Sequence, residues 1–115
     1  MGASVKGGVQ GLEGLAAAIE VFRELDAEMP AQTILTFLLV ARNPGIKVGE
    51  LVERLGIAQS STSRNVAYLS KWRAYQEEGH DLIEAVEDPR DRRTKTVDLT
   101  AKGKRLAEKL ARVIG

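Results

Sequence analysis

The sequence predicts a mainly helical α+β domain: four helices, a small β-hairpin, then a last helix, in the order α-α-α-α-β-β-α. Three observations carry this reading. Apolar residues recur at three- and four-residue spacing through most of the chain, the period of amphipathic helices. The period changes to alternation at Leu82, Ile83, Val86 and again at Thr94, Thr96, Val97, Leu99, the pattern of strands. Between these two runs, Pro89 is followed by four basic residues within six positions, Arg90, Arg92, Arg93 and Lys95, so the turn is tight and charged. A chain of 115 residues that is 43% hydrophobic supports one domain with a modest core.

Residues 1–10 carry Gly2, Gly7 and Gly8 and little pattern, and are expected to form a flexible tail; residues 11–115 are expected to form the domain. Leu12, Leu15, Ile19 and Phe22 place one apolar stripe on a first helix from about Leu12 to about Ala27, broadened by Val21 and Leu25. Pro30 fits the first turn of a second helix through Ile34, Leu35, Phe37, Leu38, Leu39 and Val40. That helix is apolar nearly all round and should be the core helix; Asn43-Pro44-Gly45 breaks it. Val48, Leu51, Val52 and Leu55 mark a short third helix, ended by Gly56 as a C-cap.

Gln59 to about Trp72 reads as a fourth helix, with Thr62, Val66, Leu69 and Trp72 inward. Trp72 is expected as a core or dimer anchor. The polar stretch Gln76 to Asp81 reads as a loop, with His80 exposed on it. After the hairpin, Thr100 fits the N-cap of a last helix with Leu106, Leu110, Val113 and Ile114 as its stripe.

Composition removes several function classes. Cysteine is absent, so there is no disulfide framework and no thiol chemistry. The single histidine cannot build a zinc site alone, and no activated nucleophile, phosphate loop or metal cluster is visible. No catalytic residue, metal or cofactor is expected. No apolar run reaches the length of a membrane span, and the start Met1-Gly2-Ala3-Ser4-Val5-Lys6 has no secretory h-region; a cytoplasmic protein with no membrane partner is expected.

Net charge is +1, but its distribution is uneven. Arg90 to Lys109 holds eight basic residues against three acidic, whereas Glu13 to Glu28 holds five acidic against one basic. A basic side for nucleic acid and an acidic side for a partner fit this asymmetry; so do two solvated helix faces.

The short connection Gly56-Ile57-Ala58 between the third and fourth helices is a helix-turn-helix signal. The second helix of such a motif enters the major groove, and Ser60, Ser61 and Arg64 suit close approach and hydrogen bonding there. Tyr68 and Lys71 share the outward face; Tyr68 can touch phosphate or pack on a neighbour. Arginine on a thin hairpin can enter a minor groove, where negative potential concentrates. A charged hairpin tip that serves only solubility is the plainer alternative.

The strings VGELVERLGIAQSSTSRNVAYLS and EDPRDRRTKTVDLTAKGKRL together resemble the MarR family of winged helix-turn-helix transcriptional regulators. The resemblance covers about residues 30 to 110. Its more specific part is the wing pattern, Asp91-Arg92-Arg93 through Val97-Asp98-Leu99-Thr100 and Gly103. It implies that Arg93 probes the minor groove, that Asp91 organises it, and that Arg64 is the recognition-helix arginine. The link Lys71 to Asp81 is longer than the usual helix-to-wing connection, and Ala58 stands where a capping serine is common.

The expected function is sequence-specific binding of double-stranded DNA by a homodimeric regulator. Its recognition helix would use Gln59, Ser60, Ser61, Ser63, Arg64, Tyr68 and Lys71, and its wing Arg90, Asp91, Arg92, Arg93 and Lys95. Leu12, Leu15, Ile19, Phe22, Leu106, Leu110 and Val113 would form the dimer seam, since one small domain cannot easily bury both terminal stripes. A small-molecule effector is left open. The alternative is a winged-helix module for protein–protein contact, which would need no arginine-rich tip and a more apolar recognition face.

Overall fold

A computed structural model describes residues 2–115, with side chains from Val9 onward. Five helices alternate with short strands: α1 (Gly2–Leu25), α2 (Ala31–Arg42), β1 (Ile46–Lys47), α3 (Val48–Leu55), α4 (Gln59–Leu69), β2 (Trp72–Ala74), β3 (Glu77–Glu78), β4 (Ile83–Asp88), β5 (Asp91–Leu99) and α5 (Ala101–Ile114). This is a winged helix-turn-helix, mainly helical with a small antiparallel sheet in the order β1-β5-β4. Of residues 1–10, expected as a tail, Met1 is not described, and from Gly2 onward the backbone is the start of α1, so the first helix begins well before the expected Leu12.

The core forms where α2 meets α1, α3, α4 and β5. Phe37 and Val40 are fully buried, and Phe22 of α1 meets Phe37 edge-on with ring centroids 5.8 Å apart. Leu51 of α3, Leu69 of α4, Ile83 of β4 and Val97 of β5 close the same cluster.

The stripe expected along α1 divides into two adjacent faces. Ala18, Val21 and Phe22 are buried, whereas Leu12, Leu15 and Ile19 are exposed. At 100° per residue, Phe22 lies on the border between the two faces, so a three- and four-residue spacing connects residues that end in different environments. Leu110 is buried on the same cluster, with Leu106 and Val113 packed against it. Phe22 and Leu110 are therefore core residues of the protomer, a correction to their expected place in a dimer seam. One chain covers part of its α5 stripe, Leu110 fully and Leu106 and Val113 in part, while Ile114 stays exposed. The cover comes from α1, which lies so close to α5 that a Cβ added at Gly14 would meet the Ile114 carbonyl oxygen at 3.0 Å.

Two short pairings were illegible in the sequence. β1 pairs with β5 through Ile46 opposite Val97 and Lys47 opposite Thr96. β2 and β3 form a small hairpin in the stretch read as helix end and loop. Helix α4 accordingly stops at Leu69, and Trp72 is 54% exposed on β2 rather than an inward anchor of the helix. What anchors the link is Gly79, where a Cβ would sit 2.0 Å from the Ser70 carbonyl oxygen. That fit lets the amides of Gly79, His80, Asp81 and Leu82 reach the carbonyls of Lys71, Tyr68, Ser70 and Leu69. The orphan carbonyls at the end of α4 are thus capped by the segment between β3 and β4 that leads to the wing.

The wing is fastened to α5 just as tightly. The Thr100 hydroxyl accepts from the Gly103 amide at 3.0 Å and donates to the Asp81 carbonyl at 2.7 Å. Thr100 is the N-cap read from the sequence. At Gly103 an added Cβ would lie 2.0 Å from the Leu82 carbonyl oxygen, so helix and strand touch backbone to backbone. The spacing Val97-x-Leu99-Thr100-x-x-Gly103 is therefore a joint: a buried strand residue, a packed one, a cap and a close approach.

Candidate nucleic-acid interface

Helix α3 ends at Gly56 with φ 66°, the left-handed conformation that suits glycine, and the chain turns directly into α4. Ala58 is the N-cap of α4 and offers no side-chain cap. Thr62, Asn65, Val66 and Leu69 face inward, as hydrophobic periodicity requires of a helix seated on α2 and α3. Gln59, Ser60, Ser63 and Arg64 are exposed, and Ser61 is half-buried. Arg64 donates from Nη2 to the Ser61 Oγ at 3.2 Å, one turn back along the helix.

At the wing the regular ladder breaks. Glu87 pairs with Lys95, but Asp88 pairs with Asp91, which leaves Arg92, Arg93 and Thr94 bulged out of β5. Strand alternation therefore does not decide which arginine points where. Asp91 does: its Oδ1 accepts from the Arg93 amide at 3.1 Å and from Arg93 Nε at 3.3 Å, and its Oδ2 accepts from the Thr94 hydroxyl at 3.3 Å. The Arg93 amide, then the Arg93 side chain, hold the Asp91 carboxyl below the usual carboxylate range. Asp88 shapes the turn, accepting from the Arg90 amide at 2.9 Å, while Arg90 Nε stays 3.8 Å away. Arg92 makes no ion pair among the described residues.

Between wing and helix-turn-helix runs an open cleft of about 740 Å³. Gln59 and Ser63 of α4 line one wall, and Arg93, Thr94 and Lys95 of the wing the other. Lys47 of β1 and the carboxylates Glu50 and Glu53 of α3 also line it. Lys47 and Thr94 were not singled out from the sequence, because only β1 pairing with β5 brings Lys47 to the wing. Glu50 already pairs with Arg54 at 2.9 Å.

The model of the MarR family matches residues 28–74, from the end of the α1–α2 turn to β2. Over this segment the chain is similar to the MarR family. The wing lies beyond the matched segment, and its likeness rests on solved structures. The PcaV transcriptional regulator from Streptomyces coelicolor, in complex with its natural ligand, shares 24% identity at a TM-score of 0.60, covering 76% of this chain and 56% of that one. RV1404 from Mycobacterium tuberculosis shares 21% at 0.68, over 87% and 63%. A MepR mutant from S. aureus, bound to an oligodeoxyribonucleotide, shares 18% at 0.71, over 96% and 75%. At these identities the structures show the fold. The chain spans less than two thirds of the length of the first two. No curated protein matches it.

Around this interface the remaining expected residues separate. Lys71 is exposed just past α4. Tyr68 turns away from the cleft: its hydroxyl donates to Asp26 Oδ2, its ring meets His80 edge-on at 4.8 Å, and the Arg73 guanidinium lies 5.2 Å over its face. Of the two roles open to it, the structure displays packing on a neighbour. Burial, then the Asp26 carboxylate, push its hydroxyl up to about 12. His80 is half-buried rather than exposed, and burial, then the Lys102 charge, lower it below the ordinary histidine value. Leu12, Leu15 and Ile19 are the expected seam residues that stay exposed. Among the described residues no group of three or more acidic, cysteine or histidine residues could hold a metal, and no helix is long and apolar enough to cross a membrane.

Proposed function

We propose that this protein is a sequence-specific double-stranded DNA-binding transcriptional regulator of the MarR family that acts as a homodimer. Residues 11–115 are its DNA-binding unit with flanking dimer helices. The observation that carries the reading is the shared cleft: Gln59 and Ser63 of α4 face Arg93 and Lys95 of the wing across one open groove. A duplex that sent its major groove onto α4 would bring the next minor groove to the wing. Gln59, Ser60, Ser61, Ser63 and Arg64 are the base- and phosphate-facing set, and Lys71 adds a phosphate contact. Arg93, pre-oriented by Asp91, is the minor-groove probe; Arg90, Arg92 and Lys95 supply phosphate contacts. Leu12, Leu15 and Ile19, with Val113 at the margin, form the seam between two copies. The polar outward face of α4 speaks against a protein-docking module.

The test is an electrophoretic shift with random duplex, then with duplexes selected from a random pool, at rising salt. Binding should weaken steeply with salt as basic groups displace condensed counterions. Arg64→Ala should lose preference for the selected duplex, by about 1–3 kcal/mol of discrimination if it reads guanine. No binding in dilute salt, or binding indifferent to salt, rejects the reading.

A further inference from the structure

Apolar packing of Val66 and Leu69 seats α4 on the core, but such contact is non-directional. Two polar ties add direction. On one, the Thr33 hydroxyl of α2 donates to Asn65 Oδ1 at 2.7 Å. On the other, three positions on, the Tyr68 hydroxyl reaches the Asp26 carboxylate, which follows the last residue of α1. That carboxylate is itself fixed. Its Oδ1 accepts from the Glu28 amide at 2.9 Å, and the Asp26 backbone carbonyl accepts from the Met29 amide at 3.1 Å. Arg23 Nε spans the same turn to the Ala27 carbonyl at 3.2 Å. The Tyr68 ring is held as well, with His80 at its edge and Arg73 over its face.

We propose that the Asp26–Tyr68 hydrogen bond is a latch that sets the attitude of the recognition helix against α1, and through it the separation of the two recognition helices in the dimer. Tyr68 and Asp26 are positioning residues; neither lines the cleft between helix and wing. The latch sits near the C-terminal end of α4, so it governs a lever. Gln59 lies about 14 Å from Tyr68 along the helix axis, and a tilt of about 10° about the latch carries Gln59 by about 2 Å. A displacement of that size separates a hydrogen-bonding side chain from a base edge. At the other end of the linkage, α1 carries the exposed Leu12, Leu15 and Ile19. A latch between these elements converts a fixed seam into a fixed half-site spacing.

The inference rests on the DNA-binding, dimeric reading above, and the test separates the two. Affinities are measured for a set of duplexes that carry the two selected half-sites at stepped separations. The proteins are the wild type, Tyr68→Phe, Asp26→Asn and Asp26→Ala, each with its thermal midpoint. The wild type should prefer one separation by about tenfold or more. Tyr68→Phe keeps the ring but loses the bond, and should flatten that preference to a few-fold while keeping salt-dependent binding to random duplex. Asp26→Ala should do the same. Asp26→Asn keeps an oxygen that accepts from the Tyr68 hydroxyl, and should retain most of the preference. A general loss of stability does not move the ratio between two duplexes measured on one folded protein, so the ratio is the deciding readout. A wild type that binds no duplex sinks the DNA reading and the latch with it. A wild type that binds with no preferred separation, a Tyr68→Phe protein that keeps the full preference, or Asp26→Asn as flat as Asp26→Ala sinks the latch alone.

Discussion

Replacing Gly103 with alanine sets two effects of opposite sign against each other. Gly103 lies in the first turn of α5, and helix propensity alone favours alanine there by about 1 kcal/mol. Packing opposes it. The new Cβ would stand 2.0 Å from the Leu82 carbonyl oxygen and 3.0 Å from its carbon. Relief requires helix and strand to part by more than about 1 Å, since ordinary contact begins near 3.4 Å. Neither side can yield freely. The Leu82 carbonyl accepts from the Thr100 amide at 3.0 Å, and the Leu82 amide donates to the Leu69 carbonyl at 2.7 Å. Parting lengthens the Thr100 bond, worth about 1 kcal/mol. It also disturbs the Thr100 cap, worth about 1 kcal/mol, and adds overpacking strain of about 1–3 kcal/mol. The net expectation is a loss of about 3 kcal/mol, which for a domain of this size lowers the thermal midpoint by about 12 °C. Gly49, in α3, is the control: a Cβ there meets nothing within 4 Å, so Gly49→Ala should raise stability by up to about 1 kcal/mol. Thermal and urea unfolding followed by circular dichroism measure both. A Gly103→Ala protein as stable as the wild type, or two variants shifted in the same direction, refutes the reasoning.

Asp91→Ala removes a negative charge beside the proposed DNA path, so simple electrostatics expects tighter binding; loss of the Arg93 tether expects weaker binding, by about two- to tenfold from the freedom Arg93 regains. Affinities of Asp91→Ala and Arg93→Ala on one operator decide, and a tighter Asp91→Ala complex ends the organiser assignment. Leu15→Glu, on the exposed face of α1, should convert a dimer to a monomer and weaken operator binding; sedimentation of the wild type as a monomer at about tens of micromolar, where working dimers should be assembled, removes the seam. His80 is held below its ordinary value near 6.5 in the folded state, so the unfolded chain takes up protons first. Its share of stability should be complete above about pH 6.5 and decline as pH falls through that value, modestly because the ring is only half-buried. A pH series of unfolding midpoints for wild type and His80→Asn checks this; an unchanged slope contradicts it.

The residues that could be read in the chain are those whose role is local. Helix and strand periods, Gly56 in its left-handed cap and Thr100 as an N-cap all act across a few residues, and each stands where its local chemistry puts it. The Asp91-to-Arg93 contact is implied by the family resemblance. Strand alternation was a poorer guide at the wing tip, since the bulge at Arg92 to Thr94 breaks the period it relies on. β1 is not legible in the sequence because two residues carry no period, and the β2–β3 hairpin because its residues are exposed and its strands are two and three residues long.

By itself, then, the sequence determined the type and order of the long elements, and the turn-helix and wing that make the candidate interface. Tertiary structure alone decided which half of the α1 stripe is covered, that Phe22 and Leu110 belong to the protomer core, and that Lys47 joins the wing. It also decided that Tyr68 faces Asp26, a partner 42 residues away. The reason is physical. A periodic pattern records that a face is apolar or polar, but burial and hydrogen bonding depend on which distant surface arrives opposite it, and no local spacing encodes that arrival.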